Sequence, residues 1–294
     1  MSFSEQEILN KIKQAREDYA AGNFKEAINN YREINNILKD DENNLPIIQI
    51  ELGWSLYSDQ NYPEAIQYLQ KAIASRKLND QQRFDCYRLI GFSAEMLGDS
   101  RKALENLNLA ITVDVPESLK KYTYLELGKI YFTDGQILEA EHYLQKALKL
   151  LHAEDQQYAD TLAYYLGFTY YFQKKFKKAR EQFDQIIQKA KDHKTRAGGY
   201  FGLAHLHYHY RDYASLLDIC EKILRLDQAF YDKETLGYFM CEAYYRLKMW
   251  ENLETFYNEL STSYPNGRYQ KEYSRFERGL KDRGKKPPAK DPKQ

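Results

Sequence analysis

Cysteine is scarce. The 294 residues hold three, Cys86, Cys220 and Cys241, an odd number set far apart. Neither a disulfide framework nor a zinc-type spacing can be built from them, which favours a reducing compartment. An excess of charge of one sign is missing too: Lys plus Arg number 43, and so do Asp plus Glu. A formal charge of zero gives no general pull toward nucleic acid or an anionic membrane. Long apolar runs are absent. The most apolar stretch, LAYYLGFTYYF at residues 162–172, falls well short of the roughly 20 residues that span a bilayer. The opening MSFSEQEILNKIKQ lacks the basic start and apolar core of a signal peptide, and its Ser4-x-x-Glu7 reads as a capping box that begins a helix. No Gly-rich phosphate loop, G-x-S-x-G or HExxH occurs. A cytoplasmic, non-enzymatic chain is therefore expected, with no cofactor, no nucleic-acid partner and no membrane insertion.

Aromatic residues, by contrast, are abundant. They make up 15% of the chain, and 27 of them are tyrosines, which suit half-exposed surfaces because an apolar body carries a polar tip. The chain also repeats itself. ELGWSLYSDQNYPEAIQYLQKA at 51–72, LIGFSAEMLGDSRKALENLNLA at 89–110, ELGKIYFTDGQILEAEHYLQKA at 126–147, YLGFTYYFQKKFKKAREQFDQI at 165–186 and GLAHLHYHYRDYASLLDICEKI at 202–223 align with one another. Weaker copies flank them, one around Ala15, Ala27 and Tyr31, the other around Cys241, Leu253 and Tyr257. Small residues recur at two places in this register, where they allow two helices to approach closely. Four glycines (Gly53, Gly91, Gly128, Gly167) share one of these places, although each costs up to ~1 kcal/mol against Ala in a helix interior. Three more (Gly22, Gly98, Gly135) mark the turn between helices.

This pattern resembles the tetratricopeptide repeat, a helix–turn–helix unit of 34 residues. In that family's register, position 8 is Ala15, Gly53, Gly91, Gly128, Gly167, Ala204 and Cys241. Position 20 is Ala27, Ala65, Ala103, Ala140, Ala179, Leu216 and Leu253. Position 24 is Tyr31, Leu69, Leu107, Leu144, Phe183, Cys220 and Tyr257. The resemblance implies an all-α, right-handed superhelical solenoid of antiparallel helix pairs over residues 1–265. About seven repeats start near 8, 46, 84, 121, 160, 197 and 234, each 37 to 39 residues from the last. A capping helix is expected over 266–283, where Tyr269, Tyr273, Phe276 and Leu280 form one apolar stripe. The Pro-rich basic tail at 284–294 has no apolar anchor and is expected to be disordered. Only about seven residues precede the first repeat, so no DNA-binding or effector domain is expected ahead of it.

In the family, positions 2, 5, 9, 12 and 13 of each first helix line the concave surface where partners bind. Here 14 of those 35 positions are Phe, Trp or Tyr. Repeats two to four contribute Trp54, Tyr57, Phe92 and Phe132, and repeat five contributes Tyr164, Phe168 and Tyr171. Repeat six adds Phe201, His205, Tyr208 and His209, and repeat seven Tyr238 and Tyr245. The resemblance implies a scaffold or adaptor that binds a protein or peptide segment in this aromatic groove; self-association through it stays open. The same rings could also pack between successive first helices, and one ring can do both. The family's carboxylate clamp needs Lys and Asn at positions 5 and 9. Repeats one to three carry Ile12 and Arg16, Ile50 and Trp54, and Arg88 and Phe92 there, so the clamp is absent.

HLHYHY at 205–210 holds half of the six histidines. His205 and His209 are i, i+4 neighbours on the groove face, and His207 points between helices. Two imidazoles fall short of the three or four ligands of a stable zinc site, so no metal is assigned; Glu242 is the one conceivable third ligand. Two further readings remain: a peptide-sensing regulatory receptor, and an accessory subunit with a histidine metal site. An unperturbed imidazole titrates near ~6.5, so binding through these histidines is expected to change between pH 5.5 and 7.5. Of the cysteines, Cys86 lacks a neighbouring base, and Cys220 and Cys241 stand at packing positions, so all three read as structural. Deleting residues 284–294 should leave stability unchanged within about 0.5 kcal/mol by thermal unfolding, since a segment with nothing to bury adds nothing.

Overall fold

Four of the helix hairpins are set by a contact between one backbone and one side chain. The computed structural model describes residues 4–152 and 155–283. A Cβ built on Gly53 would lie 2.7 Å from Leu69, on Gly91 2.6 Å from Leu107, and on Gly128 2.5 Å from Leu144. On Gly167 it would strike the ring of Phe183. Position 8 therefore receives the side chain of position 24 from the other helix of its own pair. Position 20 is fully buried in all seven copies.

The first four pairs are α1 (Glu5–Ala20) with α2 (Phe24–Ile37), α3 (Leu45–Ser58) with α4 (Tyr62–Ala74), α5 (Asp80–Met96) with α6 (Ser100–Thr112), and α7 (Lys121–Thr133) with α8 (Ile137–Leu150). A 3₁₀ turn at Glu117–Lys120 leads into α7. The next three are α9 (Gln156–Phe172) with α10 (Phe176–Lys189), α11 (His193–Tyr210) with α12 (Tyr213–Leu226), and α13 (Lys233–Arg246) with α14 (Trp250–Ser263). A single helix, α15 (Gln270–Asp282), follows. There is no strand among the described residues, and none of their helices is long and apolar enough to cross a membrane. The chain forms two compact units that divide between Leu151 and His152. Each unit stacks antiparallel helix pairs. The tail expectation, 284–294, lies outside the described residues.

Local chemistry fixes the helix ends. Ser4 and Glu7 form the expected reciprocal capping box, and Asn79 with Gln82 forms a second. Asp99, Asp192, Asp212 and Asp232 each accept a backbone N–H from the first turn of α6, α11, α12 and α13. The turn inside every pair passes through a left-handed residue at position 15. Gly22, Gly98 and Gly135 fill it in three copies; Gln60, Lys174, Arg211 and Lys248 fill it in the others, at φ of 58–63°. A side chain in that conformation costs roughly 1–2 kcal/mol, so hairpin closure overrides local preference there.

Unit two adapts the rule. Phe183 stands where repeats two to four carry leucine, and its ring would also be struck by a Cβ on Gly202 of the following helix. The ring is thus held between two glycine backbones and is fully buried. Gly202→Ala should gain about 1 kcal/mol of helix propensity and lose more to overpacking, for a net cost of about 1–2 kcal/mol in thermal unfolding. Adding Phe183→Leu should recover part of that loss. Strictly additive losses would show that the ring is not the obstacle.

Candidate partner-binding face

On the first helices of unit two, rings run without a break from α9 through α11 to α13. Phe168 and Phe201 lie 6.2 Å apart and are only 5% and 3% exposed, so they form a floor rather than a free surface. Phe168 also rests on Phe183, at 5.1 Å. Above the floor stands His205. Its imidazole meets Phe201 at 4.7 Å, Phe239 at 4.9 Å, Phe168 at 5.2 Å and Tyr171 at 5.6 Å, each at a steep angle. It is half-buried by area, and the rings strip most water from it. Burial pushes its pKa down to about 4, opposed by the negative charge of Asp232.

The tips around this box are polar. Tyr171 and Tyr208 are half-buried. Tyr208 stacks on Phe239 at 4.7 Å, and its hydroxyl lies 3.0 Å from that of Tyr238. The Tyr164 hydroxyl bonds that of Tyr231, a residue 67% exposed between α12 and α13. His209 is exposed and lies over Phe176 at 4.2 Å, within 6.4 Å of Tyr171. His207 is half-buried, its Nδ1 2.9 Å from an Asp212 carboxylate oxygen.

Helix α15 covers two of the expected groove residues. Tyr238 is 5% exposed and stacks against Tyr269 at 4.1 Å, nearly parallel. Tyr245 lies 5.8 Å from Phe276, and Gly279 passes so close that a Cβ would strike its ring. Glu242 is buried and ion-paired to Arg246, at 2.8 Å, and to Arg275 of α15, which removes it as a third ligand for the histidines. No group of three or more metal-ligating side chains occurs among the described residues. All three thiols are buried, and burial pushes those of Cys86 and Cys241 up to about 12.

In unit one, Trp54, Tyr57, Phe92 and Phe132 are all half-buried. Arg88 joins two of them, its guanidinium 5.2 Å from the ring of Trp54 and 6.0 Å from that of Phe92. Tyr57 meets Tyr62 at 5.5 Å. Nine of the 13 expected groove residues belong to one connected set: Tyr164, Phe168, Tyr171, Phe201, His205, Tyr208, His209, Tyr238 and, through Phe276, Tyr245. Phe168, Phe201 and Tyr238 are packed rather than open, because adjacent helices must bury their shared face. Sequence reasoning missed Phe239 and Phe176, which stand outside the family's groove positions.

The expected histidine effect between pH 5.5 and 7.5 does not extend to His205, which is uncharged throughout that interval. Its depressed pKa acts on stability instead. The unfolded chain takes up this proton as pH falls below 6.5, and the folded chain resists until about 4. Stability is therefore complete above 6.5 and falls between 6.5 and 4, by roughly 2–3 kcal/mol. His205→Phe should flatten that fall in melting curves taken across the interval. An unchanged slope would mean that other groups carry it.

Residues 13–152 match the family model of the SusR N-terminal TPR domain, and residues 160–193 match a tetratricopeptide repeat model. No curated protein matches the chain. Among solved structures, the apo form of RapI is similar over 92% of this chain and 79% of its own, with a TM-score of 0.64 at 13% identity. The C-terminal part of a TPR repeat-containing protein from Cytophaga hutchinsonii is similar over 92% of this chain and 99% of its own, at 0.58 and 17%. A chain of the APC/C hetero-tetramer Cut9–Hcn1 is similar over 86% of this chain, at 0.59 and 20%; this chain spans only 46% of that one. These structural likenesses speak for the fold. Together with the two family models and a packing register repeated through seven helix pairs, they place the chain in the tetratricopeptide repeat family.

Proposed function

We propose that this chain is a non-enzymatic scaffold that holds a segment of a partner protein on the aromatic face of α9 and α11. The tetratricopeptide repeat is in general a scaffold for protein interaction, which supports the class of function. One observation carries the location. At positions 5, 9 and 12 of repeats five and six there is no charged side chain, only Tyr164, Phe168, Tyr171, Phe201, Tyr208 and a His205 that burial keeps neutral. Rings with few rotatable bonds give contact area at little ordering cost. The hydroxyls of the half-buried Tyr171 and Tyr208, with the imidazole of the exposed His209, offer hydrogen bonds to a partner's backbone or polar groups. The bound segment is apolar in its anchoring side chains, lying extended or as a helix.

The test is the double variant Tyr171→Ala with Tyr208→Ala, assayed against a partner isolated by pull-down and identified by mass spectrometry. Circular dichroism establishes that the variant is folded. Loss of a central anchor costs about 2 kcal/mol or more, and that of a rim residue under 1. Because Tyr208 also stacks on Phe239, Tyr171→Ala with His209→Ala serves as a second pair that leaves that stack intact. Near-normal binding by both pairs, with loss on Trp54→Ala or Phe92→Ala, would move the site to unit one. No effect of either set would make the rings structural.

A further inference from the structure

Unit one has a cavity of about 410 Å³ lined by Arg16, Tyr19, Tyr31, Glu51 and Trp54. Its chemistry differs from that of the aromatic face in unit two. One carboxylate stands among three aromatic rings. Glu51 is 22% exposed at its side chain and comes from α3; its partner Arg16 comes from α1 and is 59% exposed. The Arg16 Nε donates to both carboxylate oxygens, at 3.1 and 3.2 Å, and Nη2 donates to one of them. The Tyr31 hydroxyl faces the same ion pair, and burial raises its pKa strongly. Trp54 already carries one guanidinium, that of Arg88, at 5.2 Å. Tyr19 is fixed by a 3.2 Å contact between its hydroxyl and Ser58 Oγ, and by its ring against Phe24 at 5.5 Å.

From this arrangement we propose that Glu51, Tyr19, Tyr31 and Trp54 form a site for one arginine side chain of a basic partner segment, with Arg16 as its built-in occupant. A planar guanidinium fork against a carboxylate with rings alongside is the geometry that selects arginine over lysine. Arg16 shows that fork in place. It is also a long, 59% exposed side chain whose ordering costs entropy, so an incoming guanidinium competes with it for Glu51. The exchange keeps Glu51 paired and adds burial of the ligand's methylenes against the rings. The surrounding charge favours a basic ligand, since residues 1–151 hold 23 Asp and Glu against 18 Lys and Arg. This site is independent of the face on α9 and α11.

The chain has two tryptophans, so Trp250→Phe leaves Trp54 as the only indole reporter. The probe is a short acetylated Gly/Ser peptide with one central arginine, compared with the same peptide carrying citrulline. The arginine peptide should change Trp54 emission saturably, and citrulline should bind at least fivefold more weakly. Glu51→Gln should cost at least tenfold. Arg16→Ala should tighten binding at least threefold, since it removes the competitor; a purely structural ion pair would give no gain. Arg16→Ala and Glu51→Gln are checked by thermal unfolding, and if Glu51→Gln fails to fold, the Arg16→Ala and citrulline arms still decide. Tyr171→Ala, which impairs the face in unit two, should leave the arginine peptide's affinity unchanged. Equal binding of citrulline, or unchanged or weaker binding after Arg16→Ala, would overturn the site.

Discussion

Everything in this fold depends on how near the two helices of a pair can come. The limit is set by the side chain at position 24 resting on the backbone at position 8. With glycine at position 8, a leucine branch occupies the volume where a Cβ would sit, and a second helix can lie flat against the first. The fully buried position 20 then fills the gap from the other side. Burying a leucine contributes roughly 1.5–3 kcal/mol, which exceeds the ~1 kcal/mol that each interior glycine gives up. The same closeness forces the turn into its left-handed conformation, even where Gln60, Lys174, Arg211 or Lys248 must adopt it. Local strain is accepted because the packed pair over-determines the turn.

That constraint is why the helix pairs were legible in the sequence. A residue that has to be small leaves a mark on composition, and the mark recurs with each copy. Second helices begin at position 17 in all seven pairs, from Phe24 to Trp250. Where the constraint is pairwise, the sequence is silent. Gly202 stands at position 6, where other copies carry Lys, Glu, Leu, Tyr or Phe, and nothing marks it until the Phe183 ring is seen beside it. Gly279 is similar: it is one glycine in a charged helix, and its need is set by Tyr245 from another element. Three of the seven left-handed turns announce themselves by glycine, and four do not.

The candidate face was half legible for a related reason. Family positions mark side chains on the first helices that point away from their own partner helix. They do not say whether the next helix covers them. In unit two, Phe168, Phe201 and Tyr238 are covered, while Tyr171, Tyr208 and His209 keep part of their surface. Phe239 lies outside those positions, yet it completes the box around His205 and supports Tyr208. A ring that packs with its face and presents its tip serves both purposes, so packing and recognition are not rivals here.

The two units differ in what they can discriminate. At its central groove positions, unit one sets Arg16, Arg88 and Lys129 among aromatic and aliphatic side chains, so a partner held there would meet charge, softened by salt and exposure. In repeats five and six of unit two those positions are uncharged, and one of them is an imidazole that burial among four rings keeps neutral. A group of that kind adds little affinity when satisfied but costs a full desolvation penalty when covered and left unpaired. Apolar anchors would set how tightly a segment binds to α9 and α11. His205 and the tyrosine hydroxyls would set which segment is refused, because a sequence that buries them without offering a hydrogen bond loses more than a mismatched methyl group could cost it.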